Sequence, residues 1–180
     1  MKYFIASDIH GSSYWCRLLL DAFDREQADR LVLLGDILYH GPRNELPRDY
    51  DPKAVIAMLN ALPQKPLCVR GNCEAEVDQQ VLSFPVLADY AIIDIGSRQI
   101  FATHGHLYNE DRLPPLGKGD ILLCGHFHVP ACNVHDDYIY MNPGSVSLPK
   151  CDSWNGYMTY EDGVFTWKDV FGRYRMSHRI

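Results

Sequence analysis

Five short apolar runs in this chain each stop at residues able to bind a metal ion. Lys2–Ser7 ends at Asp8 and His10, Arg30–Leu34 at Asp36, and Pro66–Arg70 at Asn72. Gln99–Thr103 ends at His104 with His106, and Asp120–Cys124 at His126 with His128. Two carboxylates, one amide oxygen and at least four imidazoles make a mixed oxygen and nitrogen donor set. Such a set suits Mn²⁺, Fe or Zn²⁺ better than Ca²⁺ and needs no thiolate. It is larger than one tetrahedral ion takes, so two ions sharing a bridging carboxylate is the economical arrangement. A metal pair of that kind is a clamp for in-line displacement at phosphorus.

The elements that must position these groups are strands. Ligands gather beyond the carboxyl ends of strands in open α/β sheets, where loops converge and backbone groups run out of partners. Gly11, Gly35, Gly71, Gly105 and Gly125 stand beside the candidates, as tight turns and close backbone approach require. Between the first strands, Ser12 and Ser13 can cap a helix to about Arg25. Asp51-Pro52 reads as an N-cap and first helical residue opening a helix to about Leu62. A short helix is expected near Glu74–Leu82, then a hairpin of Leu87–Ile95 and Gln99–Thr103. Tyr138–Asn142, Gly156–Glu161 and Val164–Asp169 follow as strands, the last two joined by Asp162-Gly163, a strong hairpin signal. Parallel pairing is expected early and antiparallel hairpins late, in two sheets packed face to face with helices outside. Without repeats or a linker, residues 1–180 read as one domain.

Composition bounds the function. Over 180 residues the apolar share of 47% and net charge of -6 exclude a disordered chain. The acidic balance argues against a dedicated duplex binder, so no stable nucleic-acid complex is expected. It leaves a phosphoester substrate open, because divalent cations can supply the positive charge. Six cysteines without a CxxC pair, no export segment and no apolar run of membrane-spanning length predict a cytoplasmic protein with reduced thiols. Arg173, Arg175 and Arg179 read as a solvated basic end.

Asp8-x-His10, Gly35-Asp36, Gly71-Asn72-Cys73, His104-Gly105-His106 and Gly125-His126-Phe127-His128 together resemble the signature of calcineurin-like metallophosphoesterases. Gly35–Asn44 with Asn142-Pro143-Gly144-Ser145 is most similar to the small YfcE-like bacterial and archaeal phosphodiesterase branch. The resemblance implies a four-layer α/β/β/α sandwich of two mixed sheets and a dinuclear centre. It places Asp8, His10 and His128 on one ion, Asn72, His104 and His126 on the other, and Asp36 between them. Two divalent ions are expected, Mn²⁺ first, with Zn, Fe, Ni or Mg as other occupants. A water bridging the ions would attack phosphorus, with His106 and Asn72 as catalytic residues. Arg43, Asn44 and Arg70, with His40, sit on loops at the same rim and are candidates to hold a phosphate oxygen. Phe127 either walls the site or faces the core.

The chain departs from larger relatives in two places. Tyr39 stands where they carry a second aspartate, and Cys73 where they carry a histidine that protonates the leaving group. A thiol is a poor proton donor at neutral pH, so slow turnover or a preference for good leaving groups is expected. Competing readings are a non-catalytic scaffold on the same fold, as in one retromer coat subunit, and a monoesterase or nuclease using the same site. Every expected ligand is intact, which speaks against the scaffold. A homo-oligomer is compatible with the exposed aromatic residues the late strands could offer.

Overall fold

A computed structural model describes all of Met1–Ile180. Strands β1 (Tyr3–Ala6), β2 (Arg30–Leu33) and β3 (Leu67–Cys68) are joined through helices α1 (Ser13–Glu26) and α2 (Pro52–Asn60). Ser12 Oγ accepts the Trp15 N–H at 3.2 Å and Asp51 Oδ1 the Ala54 N–H at 3.1 Å, so both helices start where the sequence signals them. Each cap satisfies an amide without a helical partner. The two crossovers lay β1, β2 and β3 side by side in parallel, so that their carboxyl ends open on one edge.

The remaining elements are α3 (Glu76–Val81), β4 (Tyr90–Asp94), β5 (Gln99–Thr103), β6 (Asp120–Leu123), β7 (Ala131–Val134), β8 (Tyr138–Asn142), β9 (Gly156–Glu161), β10 (Val164–Asp169) and β11 (Tyr174–Arg179). One sheet has the order β11-β10-β9-β1-β2-β3 and the other β4-β5-β6-β8-β7. Late antiparallel pairing holds for β4–β5, β7–β8 and β9–β10–β11 but not for β5–β6–β8, which is parallel. The long excursion after β5 and the β7 detour carry the chain back to the same end before the next strand begins.

The sheets face each other across Ile5, Val32 and Leu34 on one side and Ile100, Leu123 and Met141 on the other. Trp167, fully buried in this layer, donates its indole N–H to the Asn142 carbonyl at 2.7 Å and ties one sheet to the other. Helices α1 and α2 cover the opposite face of the first sheet, over Phe4, Leu31, Leu33 and Tyr157. Tyr157 and Tyr160 take opposite faces of β9, as a separation of three residues along a strand demands. On the outside of the second sheet, Tyr108 and Leu116 cover Phe101, Leu122 and Tyr140. These two come from the segment between β5 and β6, which has no helix, so the outer layer there is a loop.

Two strands escape the sequence patterns. β7 is a four-residue run of mixed polarity, and β11 is a polar sequence with only Met176 and His178 less than fully exposed. The basic C-terminal end is a paired edge strand whose arginines stay exposed, with Arg175 donating to Asp169 at 2.8 Å. Charged side chains on an edge strand discourage pairing with another chain. No helix is long and apolar enough to cross a membrane.

Candidate active site

The candidate ligands come from both sheets. The ends of β1, β2 and β3 bring Asp8, His10, Asp36 and Asn72, while those of β5 and β6 bring His104, His126 and His128. The five strand ends are thus three neighbours facing two neighbours across the sandwich edge, not one continuous row. Five of the seven residues have left-handed backbone: Asp8 (φ 61), His10 (φ 51), Asp36 (φ 53), His126 (φ 65) and His128 (φ 61). Such conformations are unfavourable for residues with a Cβ and persist where surrounding structure over-determines them. Here they turn the chain off each strand so that the side chains converge.

Hydrogen bonds fix these turns. The Asp8, His10 and Gly11 N–H groups donate to the carbonyls of Gly35, Asp36 and Ile37 at 3.1, 2.9 and 2.8 Å. Ser145 and Ser147 hydroxyls both donate to the Asp8 carbonyl, at 2.9 and 3.0 Å, and Asn142 donates its amide to the Gly125 carbonyl at 2.7 Å. The Asn142-Pro143-Gly144-Ser145 run therefore clamps the β1 and β6 turns together. Gly125 has to be glycine, because a Cβ there would collide with the Ser7 hydroxyl.

Seven donor atoms form two trios and a bridge. Asp8 Oδ1 lies 3.2 Å from His128 Nε2 and 3.6 Å from His10 Nε2, and the two Nε2 atoms are 3.3 Å apart. His104 Nε2 lies 3.2 Å from both Asn72 Oδ1 and His126 Nδ1. Asp36 Oδ2 stands between the trios, 3.6 Å from His10 Nε2 and 3.5 Å from His104 Nε2. Bonds of about 2.1 Å at tetrahedral or octahedral angles would set neighbouring ligand atoms about 3.0–3.4 Å apart, close to this spacing.

The side chains also have the hydrogen-bond state that metal ligation requires. His10, His104 and His128 each commit Nδ1 to a backbone carbonyl, of Tyr39, Leu34 and Leu148, at 2.8, 2.6 and 2.6 Å. Such bonds orient the ring and fix the tautomer that leaves Nε2 as a ligand. Asp8 Oδ1 is fully buried and accepts no hydrogen bond. Buried acceptors facing one another without donors are costly, and divalent cations satisfy them. The residues present fit such cations.

The protonation states follow from the same closeness. Against burial, His10 and His128 hold Asp8 well below the usual carboxylate range, and His104 lowers Asp36. Burial opposes the charged form of His104, but Asp36 and Asp8 outweigh it and raise that imidazole to about 9. His126 goes the other way, to about 4, through burial and the charge on His104. The carboxylates thus hold a proton on His104 where a cation would replace it.

Over residues 1–161 the chain matches the calcineurin-like phosphoesterase superfamily domain. It belongs to that superfamily. The phosphodiesterase YfcE of Escherichia coli is 45% identical over 150 residues, 83% of this chain and 82% of that one. The solved structure of Yfce, a phosphoesterase from E. coli, superposes with a TM-score of 0.96 at 39% identity, covering 100% of both chains. Vacuolar Protein Sorting 29 from Cryptosporidium parvum shares the fold alone, with a TM-score of 0.62 at 14% identity over 99% of this chain and 98% of its own. As in its superfamily, this chain is a phosphoesterase with a metal-binding site.

A cleft of about 550 Å³ opens above the trios, floored by Asp36, Asn72, His126 and His128. Gly41–Asn44 forms one wall, which puts Arg43 and Asn44 at the cleft, and Phe127, 43% exposed, lines it as well. Phe127 thus walls the site rather than entering the core. Arg70 does not line the cleft: its guanidinium pairs with Asp89 at 2.5 Å. His40 is also outside the lining and stacks on Tyr50, with ring centroids 5.3 Å apart. His106 is also outside the lining, but it stands against a floor-side imidazole, its ring centroid 5.4 Å from His104 and its Nδ1 buried without a partner.

One residue of the site looked like part of a helix in the sequence. Glu74 accepts the N–H groups of Asp36 and Ile37 at 2.8 and 2.7 Å and that of Gly71 at 2.5 Å. It thereby binds the turn after β2 to the turn after β3 and sets Asp36 against Asn72. Burial and the charge of Asp36 raise its carboxyl to about 7. An acidic residue just after Gly71-Asn72-Cys73 was the available signal, masked because acidic residues also favour the first turn of a helix. Helix α3 starts at Glu76, with Glu74 spent on the site.

Proposed function

We propose that the chain is a phosphodiesterase acting with two divalent cations, manganese foremost. Asp8, His10 and His128 would hold one, Asn72, His104 and His126 the other, and Asp36 both. The carrying observation is the pair of donor trios sharing Asp36 Oδ2. The phosphodiesterase named above supports the diester assignment through its 45% identity. Bound at these atoms, the cations would supply Lewis acidity, lower the pKa of water and neutralise charge on the phosphoryl oxygens.

The chain's own residues do the rest. Arg43 and Asn44, on the Gly41–Asn44 wall, hold a non-bridging phosphate oxygen and orient the ester over the floor. Water attacks phosphorus in line, one P–O bond forming as the ester P–O bond breaks. The water loses a proton to solvent as it attacks, and His106 relays one from solvent to the departing oxygen. Cys73 keeps its proton, because burial and Asp36 push the thiol far up, and so it replaces the histidine of larger relatives poorly. Esters with good leaving groups are therefore preferred. Asn72 keeps its amide oxygen on His104 through a contact of its nitrogen with Cys73 Sγ at 3.3 Å.

The test is hydrolysis of bis(p-nitrophenyl) phosphate and p-nitrophenyl phosphate by protein stripped of metal, before and after adding Mn²⁺. Activity restored by Mn²⁺ and greater on the diester is the expected result. Preference for the monoester overturns the diester assignment, and full activity without metal overturns the site.

A further inference from the structure

Beyond the donor trios and the Arg43 wall, the cleft holds one more cation. Lys150 lines it next to His128 and Phe127, outside every motif singled out in the sequence. Like most cations of the chain, Arg43 and Lys150 have no carboxylate partner; what sets them apart is their place on the cleft lining. Two unpaired cations lie on the lining of a cleft whose floor carries an aspartate.

The position of Lys150 is built into the backbone. Its N–H donates to the His128 carbonyl at 3.1 Å, and its carbonyl accepts the Ser153 N–H at 3.1 Å. Between those anchors Cys151 and Asp152 both take left-handed conformations (φ 53 and 54), the pattern of a type I′ turn. His128 in turn donates Nδ1 to the carbonyl of Leu148 at 2.6 Å. The root of Lys150 is thus fixed to a ligand-bearing turn, while its side chain stays free to reach across the mouth.

One anionic phosphoryl group over the floor is already provided for by Arg43, Asn44 and the cations the donor set fits. A second unpaired cation beside a half-exposed aromatic ring suits something further along the substrate. We propose that the substrate is a phosphodiester one of whose ester groups carries a second anionic group, and that Lys150 binds that group while Phe127 packs against the organic part between. Lys150 is then a specificity-determining residue. This inference rests on the phosphodiesterase reading above.

The experiment compares two esters that differ only in a distal phosphate: thymidine 5′-(p-nitrophenyl phosphate) with and without a 3′-phosphate. Both release p-nitrophenol from the same phosphorus chemistry. In the Mn²⁺-loaded native protein the 3′-phosphate should lower KM about fivefold or more with little change in kcat. In Lys150→Ala the KM ratio between the esters should fall towards one, Lys150→Arg should restore it, and Lys150→Glu should reverse it. Salt should shrink the native ratio, since an exposed charge pair is screened. Equal KM values in the native protein, or a ratio untouched by Lys150→Ala, would overturn this inference alone. Failure on both esters while bis(p-nitrophenyl) phosphate is hydrolysed would overturn this inference alone; failure on all three would overturn the diesterase reading and this inference with it.

Discussion

Histidines gather at two ends of this molecule, and the two groups behave differently. At the rim, three imidazoles each spend one nitrogen on a backbone carbonyl and turn the other on a buried carboxylate. At a second cleft of about 470 Å³, His135 and His178 stand among Arg98, Lys118, Asp136 and Asp137. There His135 meets Glu110 at 2.7 Å with both side chains well exposed, and its ring stacks on Tyr138 at 4.4 Å. An exposed ion pair of that kind contributes little. Residue type is the same in both places; burial, a fixed tautomer and a shared anion set the three at the rim apart.

The largest loss is expected at the rim. Replacing His126 by Ala removes one donor of the second trio and should cost several kcal/mol of charge stabilisation, roughly 10³-fold in kcat for an aryl phosphodiester. Activity within tenfold of native would separate His126 from the reaction.

The two rim imidazoles differ in the proton they carry. His104 holds its proton up to about 9, and a cation must displace it, whereas His126, lowered to about 4, has none to lose at neutral pH. Mn²⁺ affinity should therefore rise from pH 7 to pH 9, by at most about tenfold per pH unit for each proton released, and level off above that. Calorimetry in buffers of different ionisation enthalpy counts the protons; affinity independent of pH would contradict the arrangement.

A smaller loss is expected one layer out. Glu74→Gln offers one acceptor oxygen where three N–H groups converge, so Mn²⁺ should bind roughly 10–100-fold more weakly, as when other partners that orient metal ligands are lost. Excess Mn²⁺ should recover most of the activity of a folded variant. Smallest of all, His135→Ala and His178→Ala should each change phosphodiester kcat/KM less than twofold. A larger effect would give the second cleft a part in the reaction.

Much of the rim was legible in the sequence because its signals are local. An apolar run, a glycine and a ligand stand together at Gly35-Asp36 and Gly125-His126, and Asp51-Pro52 and Asp162-Gly163 announce their cap and hairpin. What stayed hidden depends on partners distant in the chain. The split of the candidate ligands over two facing sheets follows from β5–β6–β8 pairing, which no single segment encodes. Asp89, which engages the Arg70 guanidinium, comes from a separate stretch of the chain. Glu74 and the Ser145–Ser147 clamp act on backbone groups brought in from elsewhere, and no spacing rule reports that. β11 has no sequence signal because an exposed edge strand lacks the apolar alternation that marks a half-buried one.

Seven donor atoms should hold two cations through one shared aspartate. Equilibrium titration of metal-stripped protein with Mn²⁺, followed by the bound ions per chain, tests it directly. The native protein should bind two, and Asp36→Ala should lose tight binding of at least one together with hydrolysis of bis(p-nitrophenyl) phosphate. A native stoichiometry of one or none, or an Asp36→Ala protein that still binds two ions tightly, would contradict it.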